Sequence, residues 1–383
     1  MRIINTSLSD VKLIESNINE NYLGTEYRTY CKQEFSNFDI NDYFCQENHG
    51  YAFKSDCFRG VHCQIQPFIQ TYLIRCVRGA MLDFAVDLRT ESPTFKQSIS
   101  VVLSEHNYRS VYIPKGFGHG CLSLTDNCEF SMKVSNYYNA SAFTCISYKD
   151  LDLDIPSSNL IMSGKDKLAK SLKEHGDILK KTVEHSVIPP SIQNNDLTIT
   201  HLELPEVKII KPTYYEDYRG FFAESYSAKK LAELGINTVF VQDNYNCNIS
   251  KGTFRGIHYQ NNPHAQGNLV LCTRGSIMYF AIDLRSDSPN FKKWVYAILS
   301  ENNHKQIWIP RGFGHAYLTL SDDSKVQYKC DDYYYPELHR VIRYDDPEIN
   351  LNIIYKNLII SESDEKAPFL KDSDVNLFMD DKL

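Results

Sequence analysis

The sequence predicts an all-β chain built from two tandem copies of one β-barrel domain. Length, an internal repeat and the form of the apolar runs carry this. The chain has 383 residues, and a domain typically takes roughly 100–200, so two domains are the natural number. Phe58-Arg59-Gly60-Val61-His62-Cys63-Gln64 returns as Phe254-Arg255-Gly256-Ile257-His258-Tyr259-Gln260. Phe84-Ala85-Val86-Asp87-Leu88-Arg89 returns as Phe280-Ala281-Ile282-Asp283-Leu284-Arg285, and Ile113-Pro114-Lys115-Gly116-Phe117-Gly118-His119 as Ile309-Pro310-Arg311-Gly312-Phe313-Gly314-His315. The offset is constant from Phe58 to Tyr138, so no insertion or deletion interrupts that core, and the chain is a tandem duplication. The apolar runs are short, rich in β-branched and aromatic residues, and punctuated by Gly, Pro, Asp and Asn, as in an antiparallel sandwich or barrel.

In chain order, copy one is expected over 1–185. Its last part, 165–182, has helix-compatible composition. A linker follows over 186–197, where Pro189-Pro190 and polar neighbours oppose both helix and central strand. Copy two spans 198–383. Ser227 is placed to cap a helix reaching Leu234. Strands are expected at Leu269–Cys272, Ile277–Ile282, Trp294–Leu299 and Gln306–Ile309.

Composition removes several functions. Hydrophobic residues make up 42% and charged residues 23%, which is ordinary globular usage and excludes wholesale disorder. Against 41 Lys+Arg stand 48 Asp+Glu, a net charge of −7, opposite in sign to a duplex-binding protein, so no nucleic-acid partner is expected. No run approaches the ~18–20 apolar residues of a membrane span, and Met1-Arg2-Ile3-Ile4-Asn5 enters polar sequence at once, so neither membrane nor signal peptide is expected. Eleven cysteines without a C-x-x-C pair suit free thiols in a reducing cytoplasm, and no metal is expected.

Copy two reads Tyr218-Arg219-Gly220-Phe221-Phe222-Ala223-Glu224-Ser225, Phe240-Val241-Gln242-Asp243-Asn244, Arg255-Gly256-Ile257-His258-Tyr259-Gln260, Ala265-Gln266-Gly267-Asn268-Leu269-Val270, Arg311-Gly312-Phe313-Gly314-His315 and Tyr328-Lys329-Cys330-Asp331-Asp332-Tyr333-Tyr334. This succession resembles the dTDP-4-dehydrorhamnose 3,5-epimerase family, whose fold is a cupin-type double-stranded β-helix, or jelly roll. It covers nearly all of copy two and the centre and C-terminal part of copy one. The resemblance implies epimerisation of a nucleotide-linked 4-keto-6-deoxy sugar, in surface-polysaccharide synthesis and without a cofactor. The ketone acidifies the flanking C–H bonds, a base forms the enolate, and an acid on the opposite face returns the proton. A base titrating near neutrality suits histidine.

By the resemblance, His258 is the base, Asp364 orients it and Tyr328 is the acid. Arg219, Phe222, Glu224, Gln242, Asn244, Arg255, Asn268, His315 and Tyr333 match the substrate-binding pattern, with Arg suited to diphosphate oxygens. Asn268 stands where the family places a lysine for the enolate oxygen, and Ser363 and His339 stand where it often carries Lys and Glu. In copy one His62 and Asp166 survive as a degenerate second site. There Tyr72 takes the lysine position, Met132 the acid position, and Leu23-Gly24-Thr25-Glu26-Tyr27-Arg28 replaces the Arg-Gly-Phe-Phe-x-Glu segment. Family members are dimers that share N-terminal strands, so a homodimer through copy two is the implied assembly. Two other functions compete: a catalytically impaired nucleotide-sugar binding or scaffold protein, supported by Asn268, Tyr72 and Met132, and a sugar 3,4-ketoisomerase. Gln64 and Gln260 stand where the latter would carry a second histidine.

Overall fold

A computed structural model describes residues 1–181 and 197–379, so all but the last residue of the expected linker lies outside the described residues. Two compact units form, and neither is contiguous in sequence. Unit 1 holds Met1–Ser16, the body of copy one from Ile40, and Thr213–Asn237; unit 2 holds Asn17–Asp39, Leu197–Pro212 and the body of copy two from Thr238.

Each unit is a jelly roll of two antiparallel sheets. In unit 2 the larger sheet runs Leu197–His201, Lys208–Pro212, Gln306–Ile309, Asn268–Arg274, Ser324–Cys330, Gln242–Asn248, Gly24–Cys31 and Ile18–Asn21. The smaller runs Trp294–Ser300, Ser276–Asp283, Phe313–Thr319, Thr253–Gln260 and His339–Val341, with Ile359–Ile360 pairing parallel to Thr253–Gln260. Unit 1 repeats the plan, with Gly220–Ser227 and Tyr214–Asp217 at the end of its larger sheet. The four expected strands all form, three of them extended by one to three residues.

Period-2 alternation explains why those runs read as continuously apolar. Along Ser276–Asp283, Ile277, Tyr279 and Ala281 join a core with Val270, Cys272, Ile307, Ile309 and Val326 of the larger sheet. Met278, Phe280 and Ile282 face the other way, into a second core with Ile342, Ile349, Leu370 and Leu377 of the C-terminal segment. Both faces of the smaller sheet are therefore covered.

The helix after Ser227 is Ala228–Glu233, and Ser227 Oγ accepts from the Lys230 amide. The helix-compatible stretch 165–182 is broken, within its described residues, into Gly164–Lys167, Leu172–His175 and a 3-10 turn, Ile178–Lys180. Ser163 and Ser171 each cap a new start and Gly176, at φ 61°, ends the second helix, so local capping overrides composition.

The implied exchange of strands between two chains is corrected. Gly24–Cys31 pairs with Gln242–Asn248 and Gly220–Ser227 pairs with Gln46–Ala52, both within one chain. The backbone edge that a second chain's strand would use is already hydrogen-bonded. Gly24 (φ +138°) and Gly220 (φ +146°) make this possible, since a Cβ on either would lie 1.9 Å from the carbonyl oxygen of Cys247 or Tyr51.

Candidate active site

In unit 2 the strand Thr253–Gln260 carries a register shift between Arg255 and His258. Residues three apart on a regular strand face opposite ways; the bulge brings both onto one face. His258 pairs with His315 and Arg255 with Tyr317, and Tyr317 belongs to the core between the sheets. Gly256 is required there, because a Cβ would lie 2.6 Å from the His315 carbonyl oxygen.

His258 Nε2 lies 2.9 Å from Asp364 Oδ1, and the Gly256 amide donates to Asp364 Oδ2 at 3.1 Å. Asp364 sits in the short helix Glu362–Glu365, where the Ser361 cap accepts from its amide. Burial pushes the Asp364 carboxyl up, but the His258 hydrogen bond and charge, with the Gly256 amide, hold it below the usual carboxylate range. Two more imidazoles adjoin His258. Its ring centroid is 6.3 Å from that of His315 and 5.3 Å from that of His339. Burial, then the charge on His258, pulls His315 down to about 3 and His339 to about 4. Both stay neutral at physiological pH, and His315 Nδ1 lies 3.0 Å from the Tyr279 hydroxyl.

The larger sheet supplies the facing groups. Asn244, Tyr328 and Val270 are paired in one row and Gln242, Cys330 and Asn268 in the next row on the same face. Burial, with the charges of Cys330 and Glu26, raises Tyr328 well above its ordinary value, so it keeps its proton. Gln242 Nε2 donates to Asn244 Oδ1 at 3.1 Å. The Asn268 amide donates to the Gln266 carbonyl at 3.4 Å, and its oxygen accepts from Cys330 Sγ at 3.3 Å. Tyr333 lies beyond the strand end, its carbonyl accepting from Gln260 Nε2 at 2.9 Å.

The strand Gly24–Cys31 completes this sheet. Glu26 pairs opposite Asn246 and Arg28 opposite Asn244. Glu26 forms an ion pair with Arg255 Nη1, and Arg28 with Glu34. Arg255 Nε donates to Asn248 at 2.9 Å, while its buried Nη2 has no partner among the described residues.

Of the residues singled out by sequence, His258, Tyr328, Asp364, Gln242, Asn244, Arg255, Asn268, His315 and Tyr333 all lie in unit 2. Arg219, Phe222 and Glu224 do not; this is a correction that follows from the intrachain exchange. They lie in unit 1, where Phe222 pairs opposite Gly50 and Glu224 opposite Asn48. Arg219 contacts Asp217 at 2.6 Å and Asp166 at 3.5 Å, and Glu224 bonds Lys230 at 2.8 Å. There His62 Nε2 lies 2.7 Å from Asp166 Oδ1. Each unit therefore joins one copy's dyad to a strand of the other copy, Gly24–Cys31 in unit 2 and Gly220–Ser227 in unit 1. Glu26 and Cys145 are the functional candidates that sequence reasoning missed. The first was visible only as a departure from a motif, and the second had no local signal.

A family model described as dTDP-4-dehydrorhamnose 3,5-epimerase matches residues 5–174 and again 201–372. The epimerase of that name from Shigella flexneri is 39% identical over 179 residues, 46% of this chain and 98% of the relative. That from Escherichia coli K12 is 40% identical over 172 residues, 44% of this chain and 92% of the relative. A solved dTDP-6-deoxy-D-glucose-3,5-epimerase from Legionella pneumophila, in complex with dTDP-4-keto-L-rhamnose, has 40% identity and a TM-score of 0.46, covering 48% of this chain and 100% of that one. With both halves matched in tandem over most of its length, the chain belongs to the dTDP-4-dehydrorhamnose 3,5-epimerase family of isomerases.

Proposed function

We propose that unit 2 epimerises a nucleotide-diphosphate-linked 4-keto-6-deoxy sugar at C3, C5 or both, and that His258, Asp364 and Tyr328 move the protons. The observation that carries this is the His258–Asp364 contact at 2.9 Å. A carboxylate on Nε2 fixes the tautomer with its lone pair on Nδ1 and stabilises the imidazolium that forms. His258 takes the proton from the carbon beside the ketone, and the bond pair moves into the carbonyl to give the enolate. Tyr328, kept as a phenol, returns a proton to the opposite face. Arg255 Nη2, buried without a partner, supplies a donor for a ligand oxygen. A carbonyl neighbour makes the proton removable, so no cofactor is needed. The reading places the protein in the cytoplasm, supplying activated deoxy sugars for surface polysaccharide.

The test is deuterium wash-in from heavy water, using dTDP-4-keto-6-deoxy-D-glucose as probe. Wild type incorporates label at C3 or C5. His258→Asn loses at least about 10²-fold of that rate, the scale of general-base catalysis. Tyr328→Phe keeps exchange with retention and loses the epimer. An undiminished rate in His258→Asn sinks the mechanism. A binding or scaffold role is the second reading, favoured by Asn268 and by the replacement of Arg219 and Phe222 with Leu23 and Glu26 in this unit. Nucleotide-sugar binding without wash-in would select it.

A further inference from the structure

In unit 1 the surviving dyad has gained a third member. Phe143–Cys145 pairs antiparallel with Phe58–Gln64, and Cys145 lies directly opposite His62. Its sulfur is 3.4 Å from Asp166 Oδ1, the oxygen that meets His62 Nε2 at 2.7 Å. All three donor atoms lie within 4.8 Å of one another. In unit 2 the residue opposite His258 is Val341, so the thiol distinguishes the copy whose acid and lysine positions have become Met132 and Tyr72. The oxygens of Asp166 are divided between tasks. Oδ2 accepts from Ser163 Oγ at 2.8 Å and faces Arg219 Nη1 at 3.5 Å, while Oδ1 is turned to His62 and Cys145.

We infer that His62, Cys145 and Asp166 form a zinc site, with one Zn²⁺ held by Nε2, Sγ and Oδ1 and solvent at the fourth position. One nitrogen, one sulfur and one carboxylate oxygen are a donor set of the catalytic zinc type, which keeps a position open. With bonds of about 2.0–2.3 Å, tetrahedral donors lie on the order of 3–4 Å apart, so the sulfur–oxygen spacing already fits. The His62–Asp166 contact must lengthen by about half an ångström as the metal replaces the hydrogen bond. Ser163 supplies the outer hydrogen bond that holds a ligating carboxylate in place. His62, with its side chain 28% exposed, gives solvent access. The Cys145 thiol donates to Asp166 Oδ1 at 3.4 Å, so its proton already points at the position the metal would take. Zinc binding releases that thiol proton to solvent and moves the imidazole proton to Nδ1. Thiolate and carboxylate then balance the ion's charge, and this neutrality suits a site flanked by the Arg219 guanidinium and by Lys165, whose ammonium lies 3.6 Å from the Phe143 ring centroid.

The experiment titrates chelator-stripped full-length protein with Zn²⁺ alone by calorimetry, and with Co²⁺ to read the thiolate-to-metal charge-transfer band. Wild type should bind one more equivalent of zinc than Cys145→Val, release about one proton as it does so, and show the band. Cys145→Val installs the side chain that copy two carries, and Cys145→Ser should weaken the same equivalent at least tenfold. Thermal melts supply a readout independent of activity: zinc should raise the transition of wild type and leave that of Cys145→Val unmoved. Any zinc held by His258, His315 and His339 survives both substitutions. Equal stoichiometry in wild type and Cys145→Val, absence of zinc binding by wild type, or a cobalt complex lacking the thiolate band would each overturn the proposal.

Discussion

Asn268 stands where a lysine would bring positive charge to an enolate oxygen, and its own polar atoms are already engaged with Gln266 and Cys330. Oxyanion donors are worth about 2.7–4 kcal/mol when removed, so Asn268→Lys should speed deuterium wash-in at least tenfold; a slower or unchanged enzyme would show that the position no longer faces the reacting oxygen. Under the proposed function, Glu26 bears on substrate binding. Its carboxylate pairs with Arg255, so under that function an anionic substrate competes with it for the guanidinium. Glu26→Phe, which installs the residue found at 222, should lower KM about tenfold with a smaller change in kcat, read from initial rates across substrate concentrations. Of the proposed catalytic set, His258 and Tyr328 were legible because each sits inside an ordered motif, and Asp364 was legible through the resemblance. Cys145 was not, because its meaning depends on a strand pairing that brings it opposite a residue 83 positions away.

The two exchanged strands depend on single glycines. At Gly24 the backbone adopts φ +138° and passes against the Cys247 carbonyl, so Gly24→Ala combines a strained conformation with a backbone collision. Strain of this kind costs about 1–3 kcal/mol by itself, and the collision adds to it. Urea melts should show unit 2 destabilised by at least about 2 kcal/mol, with wash-in falling in parallel. The core strands were legible because their apolar runs are short and bounded by turn residues. The segment after 165 has helix-compatible composition, but composition does not register a serine that starts a new turn, so the breaks at Ser163 and Ser171 were not legible. Nor does strand alternation reveal the bulge between Arg255 and His258, which decides that both face inward.

At the scale of the whole molecule, the constant offset between copies made the duplication plain, while the route of Gly24–Cys31 and Gly220–Ser227 was invisible to it. Repeats identify what each copy is made of, and pairing energy decides where each strand goes. The fold also sets an acid limit. His315 and His339 are held neutral well below the ordinary imidazole value of 6.5, so below that pH the unfolded chain binds protons that the folded one refuses. Stability should fall with decreasing pH by about 1.4 kcal/mol per pH unit for each group, until the folded values near 4 and 3 are reached. Asp364, held low, adds stability that is present above the ordinary carboxylate range and lost as pH falls through its own lowered value. Chemical denaturation of unit 2 at pH 6 and pH 5 reads the slope, and His339→Phe, the side chain found at 143, should roughly halve it. A slope that His339→Phe leaves unaltered would mean other groups carry the acid sensitivity.

The reciprocal placement of Gly24–Cys31 and Gly220–Ser227 has a consequence for how lesions are inherited. Damage to residues 17–39 lies in the first half of the reading frame yet is borne by the pocket encoded in the second, and damage near 220 does the converse. Each half therefore carries a ribbon on which the other half's pocket is built.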